Sequence, residues 1–169
     1  GLASAQILAQ EGAKVVVVAR RVERLEELVK EIKSDGGEAI AVAGDVTSEE
    51  DVQNSIQTAL NEFGNLDVVV NNAGVLDKTD PIDQLDDDTW NKVMDVNVTG
   101  PMRIIRASVP IFKKQGGGVF VNIASIASLF AGRGGPAYIA SKHAALGLFK
   151  NTGVFFAKEN IRSNAICPG

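Results

Sequence analysis

Five short strand-like runs, four of them mostly apolar, recur along this 169-residue chain, and they restrict the fold more than any other feature. They cover residues 14–19, 38–43, 66–70, 119–124 and 162–166. The first, Lys14-Val15-Val16-Val17-Val18-Ala19, is too continuous for a sheet with one wet face and is expected to be buried on both faces. A helix-forming stretch precedes it from Gly1 to Glu11, with Gly12 in the position that stops a helix. Between the runs lie segments of helical periodicity: 21–33, then about 48–63 after Thr47 or Ser48 as cap, then 85–98 and about 100–115. A last helix carries Tyr138 and Lys142 and is expected to reach about Glu159. Strands alternating with helices require crossover connections and therefore parallel pairing. The fold class expected is α/β, a doubly wound parallel sheet with helices on both faces, in one domain spanning 1–169.

Composition narrows the function classes. A net charge of −4, with Lys and Arg scattered, argues against a nucleic-acid partner or an anionic membrane surface. The single Cys167 excludes an internal disulfide framework and suits a reducing, cytoplasmic setting. No apolar run approaches the roughly 18 residues of a membrane span. One histidine and one cysteine leave no ligand cluster for a metal, so none is expected.

Ligands of such sheets bind beyond the carboxyl ends of the strands. There the sequence places Ala19-Arg20, Asp45, Asn71 to Gly74, Ser125 and Pro168-Gly169. Close by in the chain, Tyr138-Ile139-Ala140-Ser141-Lys142 puts a phenol and an ammonium four residues apart, on one face of a helix. A free phenol titrates near about 10, and a fixed cation beside it favours the phenolate and makes proton transfer practicable near neutral pH.

These motifs, in this order, resemble the short-chain dehydrogenase/reductase family: Asn71-Asn72-Ala73-Gly74, Asn97 within residues 95–100, Ser125 thirteen residues before Tyr138, Tyr138 with Lys142, and Pro168-Gly169. The resemblance runs through the whole chain and implies hydride transfer between a nicotinamide cofactor and a small carbonyl or alcohol substrate. It implies that Tyr138 is the acid–base, that Lys142 lowers the Tyr138 pKa and bonds the nicotinamide ribose, and that Ser125 holds the carbonyl oxygen. Asn97 is implied to bridge to Lys142 through water. Ser128 is a nearby rival for Ser125, and an ordinary helix-end residue is the other reading of Asn97.

For the cofactor, the resemblance implies Asp45 and the Val46 backbone at the adenine, Asn72, Ala73 and Gly74 along the adenosine ribose, and Pro168-Gly169 at the nicotinamide. Where an acid would bind the ribose hydroxyl of NAD, the chain has Ala19 followed by Arg20 and Arg21, so NADP (NADPH) is preferred over NAD. Only Gly1 remains of the family's glycine-rich fingerprint, and the strand before it is missing. The sequence is therefore expected to be an internal piece of a longer enzyme, with open strand edges beside residues 14–19 and 66–70. General similarity points to 3-oxoacyl thioester reduction, with alcohol, sugar and steroid oxidoreductases sharing the same motifs.

Rival classes fit less well. A serine hydrolase would need a histidine, and the only one, His143, lies about 140° around the helix from Tyr138. The chain has no Gly-x-Ser-x-Gly elbow. A non-catalytic dinucleotide-binding regulator stays open as an alternative. Apolar residues surround the helices near Ile104, Ile105, Val109, Ile111 and Phe112, and near Leu146, Leu148, Phe149, Val154, Phe155 and Phe156. The resemblance implies that these faces form a homodimer or homotetramer.

Overall fold

Helix stops and caps written in the sequence set the element boundaries. Helix α1 (Leu2–Gln10) ends where Gly12 takes φ of 89°, which only glycine adopts freely. The Gly12 N–H then donates to Ala9 and the Ala13 N–H to Leu8, meeting two carbonyls that the helix end leaves over. Strand β1 (Lys14–Ala19) follows, then α2 (Val22–Ser34), β2 (Glu38–Ala43) and α3 (Glu49–Phe63). Ser48, rather than Thr47, caps α3 by accepting from the Asp51 N–H at 3.2 Å. Glu49, Glu50 and Asp51 in its first turn complement the positive end of the helix.

The computed structural model describes residues 1–169, which divide into two units, 1–65 and 66–169. In the first, β1 and β2 pair in parallel, from Lys14 opposite Glu38 to Ala19 opposite Ala43. Leu25, Leu28 and Ile32 of α2 close over Val17, Ala39, Ala5 and Ala9 as one core.

The second unit carries β3 (Val68–Asn71), β4 (Gly118–Ile123) and β5 (Ile161–Ile166), parallel and adjacent in that order. Its helices are α4 (Asp87–Met94), α5 (Gly100–Gln115) and α6 (Pro136–Phe155). The core joins Ile105, Val109 and Phe112 of α5 to Phe120, Ile161, Ala145 and Phe149, with the rings of Phe112 and Phe120 4.9 Å apart. A buried polar ladder crosses the three strands. Asn71 Nδ2 donates to Asn122 Oδ1 at 2.8 Å, and Asn122 Nδ2 donates to Ser163 Oγ and to the Asn164 carbonyl. A slip of one residue would leave these amides unpaired in the interior, so the ladder fixes the register.

This is the α/β, Rossmann-like arrangement of parallel strands and crossover helices that the alternating pattern predicts. Four details differ from expectation. Val18 and Val68 are 42% and 46% exposed, so β1 and β3 are not buried on both faces. Each has a strand partner on one edge only, β2 and β4 respectively. The helix expected over 85–98 is α4 followed by a wide turn with i→i+5 hydrogen bonding over Asp95–Thr99, which passes directly into α5. The last helix ends at Phe155 and not near Glu159, because residues 157–159 tighten into a short 3₁₀ turn before Asn160 takes a left-handed conformation. Finally, Ile105, Val109, Phe112, Leu146 and Phe149 are buried in the unit's own core, whereas Val154 and Phe155 stand 76% and 69% exposed.

Two outcomes follow from this packing. A Cβ added at Gly118 would overlap the buried ring of Phe112. Gly118→Ala is therefore expected to lower stability by about 1–3 kcal/mol in chemical denaturation of the whole protein. The 169-residue chain expressed alone is expected to aggregate through its one-sided strands. Val68→Lys should slow the rise in light scattering, and an unchanged rate would contradict the edge explanation.

Candidate active site

Three segments of the second unit meet around one buried carboxamide. Asn97 sits in the wide turn between α4 and α5 and is 2% exposed. Such wide turns recur at functional sites. Asn97 Nδ2 donates to the Val75 carbonyl and to Ser141 Oγ, both at 2.9 Å. Its Oδ1 accepts from the Val75 N–H at 2.8 Å. Ser141 Oγ passes its own proton to the Tyr138 carbonyl at 2.8 Å. Losing this carboxamide would leave several buried polar groups unpaired, each costing about 1–3 kcal/mol.

Tyr138 and Lys142 lie on the same side of α6, with Lys142 Nζ 5.7 Å from the centre of the Tyr138 ring. Lys142 is 7% exposed, and its ammonium donates to the Ile123 carbonyl at the end of β4 at 3.2 Å. Burial holds its pKa below the ordinary lysine value, and the neighbouring Cys167 acts in the opposite direction. A Cβ added at Gly74 would lie 3.5 Å from Asn97 Oδ1 and 3.6 Å from Lys142 Nζ. Gly74 thus lies directly against both groups, and Asn72 and Ala73 before it are exposed.

Ser125 follows β4 and caps the short turn Ile126–Ser128, its Oγ accepting from the Ala127 N–H at 3.1 Å. That bond uses a lone pair and leaves the O–H able to donate. The turn packs against α6. Ser128, the rival, is 3% exposed, and its hydroxyl meets no hydrogen-bond partner. The Pro168 carbonyl accepts from the Ile126 N–H at 2.8 Å, which brings Pro168-Gly169 beside the Ser125 turn. Leu129 and Phe130, just beyond that turn, are exposed, as is Leu76 after Gly74.

In the first unit, Asp45 follows β2. Its Oδ1 accepts from the Thr47 N–H at 2.9 Å and from the Thr47 hydroxyl at 2.8 Å, while its own N–H donates to Asp51 Oδ2. The Thr47 N–H is the main reason its carboxyl lies below the usual carboxylate range; slight burial opposes this, and the Thr47 hydroxyl and Arg20 add to it. The exposed Arg20 guanidinium lies 3.8 Å from Asp45 Oδ2. Gly1, Arg21 and Val46 flank these elements, Gly1 preceding α1 and Arg21 preceding α2.

Both amide hydrogens of Asn97 are committed to Val75 and Ser141, so the side chain braces these two segments. Asp77, which no spacing argument singles out, accepts from the N–H groups of both Gly135 and Tyr138, each at 3.0 Å. His143 is exposed, with Nδ1 3.0 Å from the Ile139 carbonyl oxygen.

Comparison with known proteins bears on the family and the fold. The short chain dehydrogenase family model matches residues 1–169. The chain is 41% identical over 170 residues to 3beta-hydroxysteroid dehydrogenase 2 of Eggerthella lenta, covering 100% of this chain and 65% of that protein. Among solved structures, a 3-ketoacyl-ACP reductase from Sinorhizobium meliloti 1021 superposes with a TM-score of 0.94 at 35% identity, covering 100% of this chain and 68% of the other. An NAD+-bound xylitol dehydrogenase superposes with a TM-score of 0.96 at 34% identity, covering 100% and 65%. No helix is long and apolar enough to cross a membrane. With its parallel strands, its Tyr138–Lys142 pair and a family match over its full length, the chain belongs to the short-chain dehydrogenase family.

Proposed function

We propose that residues 1–169 act as one dinucleotide-binding and catalytic domain that interconverts a carbonyl and an alcohol with NAD(P), running chiefly as an NADPH-driven ketone reduction. The observation that carries this reading is the buried Lys142 ammonium beside the Tyr138 ring. A positive charge held there favours negative charge on the phenolic oxygen, so Tyr138 can give its proton to a carbonyl oxygen and take it back. Lys142 is held by Ile123, so it keeps its position as that charge comes and goes. Ser125 would donate its O–H to the same carbonyl oxygen and stabilise the charge that gathers on it. Asn97 would hold the wall of the site through Val75 and Ser141.

A bound nicotinamide dinucleotide would supply the hydride. In this reading Pro168, Gly169, Lys142 and Tyr138 face its nicotinamide and the ribose beside it, Asn72, Ala73 and Gly74 line its adenosine ribose, and Gly1, Asp45, Val46, Arg20 and Arg21 serve its adenine and phosphate portions. Arg20 and Arg21 favour a 2′-phosphate, since a guanidinium grips phosphate with two parallel hydrogen bonds. Arg20 already stands 3.8 Å from Asp45, so a phosphate would compete with that carboxylate. The second reading, an NAD-dependent alcohol or sugar dehydrogenase, draws support from the NAD+-bound xylitol dehydrogenase among the neighbours. The substrate reading favours a 3-oxoacyl thioester, in line with the 3-ketoacyl-ACP reductase. Exposed Val154 and Phe155 support assembly as a homodimer or homotetramer, and the single cysteine fits the cytoplasmic setting we propose.

Tyr138→Phe in the whole protein is expected to lower the rate of carbonyl reduction by about 10²–10⁴-fold while dinucleotide binding persists. A variant as active as an active parent would remove Tyr138 from the acid–base role, and a parent with no carbonyl reduction would leave the non-catalytic regulator. Lys142 adds a pH dependence. Because burial lowers its folded-state pKa, the unfolded chain binds more protons between that lowered value and the ordinary one. The cost of burying the charge is complete below the lowered value and is relieved as pH rises through it, so this group's contribution to stability increases there. Activity should do the reverse. The rate is expected to fall on the alkaline side below the ordinary lysine range, as the ammonium loses its proton, and Lys142→Arg should move that limb to higher pH. Arg20→Gln is expected to weaken NADPH binding about tenfold in titration calorimetry and to leave NADH binding nearly unchanged.

A further inference from the structure

Pro136 opens α6 with no N–H to offer, and Gly135 before it carries no capping side chain. The first turn is nevertheless capped, by a group from another segment. Asp77, 58 residues before Gly135 in the chain, accepts from the Gly135 N–H through Oδ1 and from the Tyr138 N–H through Oδ2, each at 3.0 Å. The fit is close. A Cβ at Gly135 would overlap the Lys78 carbonyl and come within 2.6 Å of both Asp77 carboxylate oxygens. A Cβ at Gly134 would approach the Tyr138 ring to 2.6 Å. The Tyr138 peptide is thus held at both ends, its N–H by Asp77 and its carbonyl by Ser141. Both tethers return to one place, because Asn97 joins Ser141 to Val75, two residues before Asp77.

We propose that Asp77 is a positioning residue for the acid–base Tyr138: its carboxylate fixes the first turn of α6 from the segment after β3 and so sets where the phenol stands. This rests on the reading of Tyr138 given above. A carboxylate at a helix N-terminus is stabilised by the helix dipole as well as by its two N–H donors, so the tether is stronger than a neutral cap. It is also rigid, since one planar group holds two amides of one turn. Small displacements of a reacting group cost large factors in rate, so the tether should be visible in turnover more than in binding.

The test compares the whole protein with Asp77→Ala and Asp77→Asn, using steady-state carbonyl reduction and hydrogen exchange read by mass spectrometry. Asp77→Ala is expected to lower kcat by about tenfold or more, with the KM for the dinucleotide within about twofold of the parent. Asp77→Asn keeps one accepting oxygen and should fall between the two. Exchange in the peptide holding Gly135 and Tyr138 should quicken about tenfold in Asp77→Ala, while peptides covering β4 and β5 stay protected. A kcat within about twofold of the parent, or loss of protection spread over β4 and β5, would overturn the proposal. If the parent and Tyr138→Phe reduce carbonyls equally, the acid–base reading fails by itself. The exchange arm then decides Asp77 alone: unchanged exchange refutes the tether, and local quickening supports it.

Discussion

The site depends on one buried carboxamide whose hydrogen bonds tie its own turn to two other segments. Asn97 holds Val75 at both its N–H and its carbonyl and reaches Ser141 with its remaining amide hydrogen. None of those contacts is available from a regular helix, in which the residue's direction follows the 3.6-residue period. The wide turn at Asp95–Thr99 turns the side chain inward and lets α4 run on into α5 without a break. The chain therefore accepts a local irregularity of the backbone and gains a fixed relation among the segment after β3, the wide turn and α6.

Electrostatics builds on that frame. A lysine 7% exposed is a strained choice for a core, since burial alone pushes it towards neutrality. The Ile123 carbonyl supplies one compensating hydrogen bond. The result is a cation that is costly to keep and so placed that negative charge nearby relieves the cost. The Tyr138 ring lies 5.7 Å from that cation.

Much of this was legible from residue order. Gly12 stops α1, Ser48 caps α3, the Val15–Val18 run forms β1, and the spacing of Tyr138 and Lys142 delivers both to one side of α6. What escaped the sequence was long-range or two-sided. Continuous apolar character says that a strand seeks cover, but whether Val18 and Val68 obtain it depends on neighbours that periodicity does not reveal. The wide turn leaves no mark on the apolar spacing around Asn97. Asp77 reads as one more acid in a polar loop, and its role appears only when the fold carries it across 61 residues to the amide of Tyr138. The polar ladder from Asn71 through Asn122 to Ser163 was hidden for the same reason, since each member alone resembles a strand-end residue.

The glycines before α6 have a consequence for how such a protein diversifies. Gly134 and Gly135 are wedged against the Tyr138 ring and the Asp77–Lys78 backbone, so this wall of the site has no room for side-chain variety. Leu76, Leu129 and Phe130, by contrast, project into solvent with nothing to satisfy. Mutational drift is thereby channelled to the rim. The turn that seats Tyr138, by contrast, stays frozen.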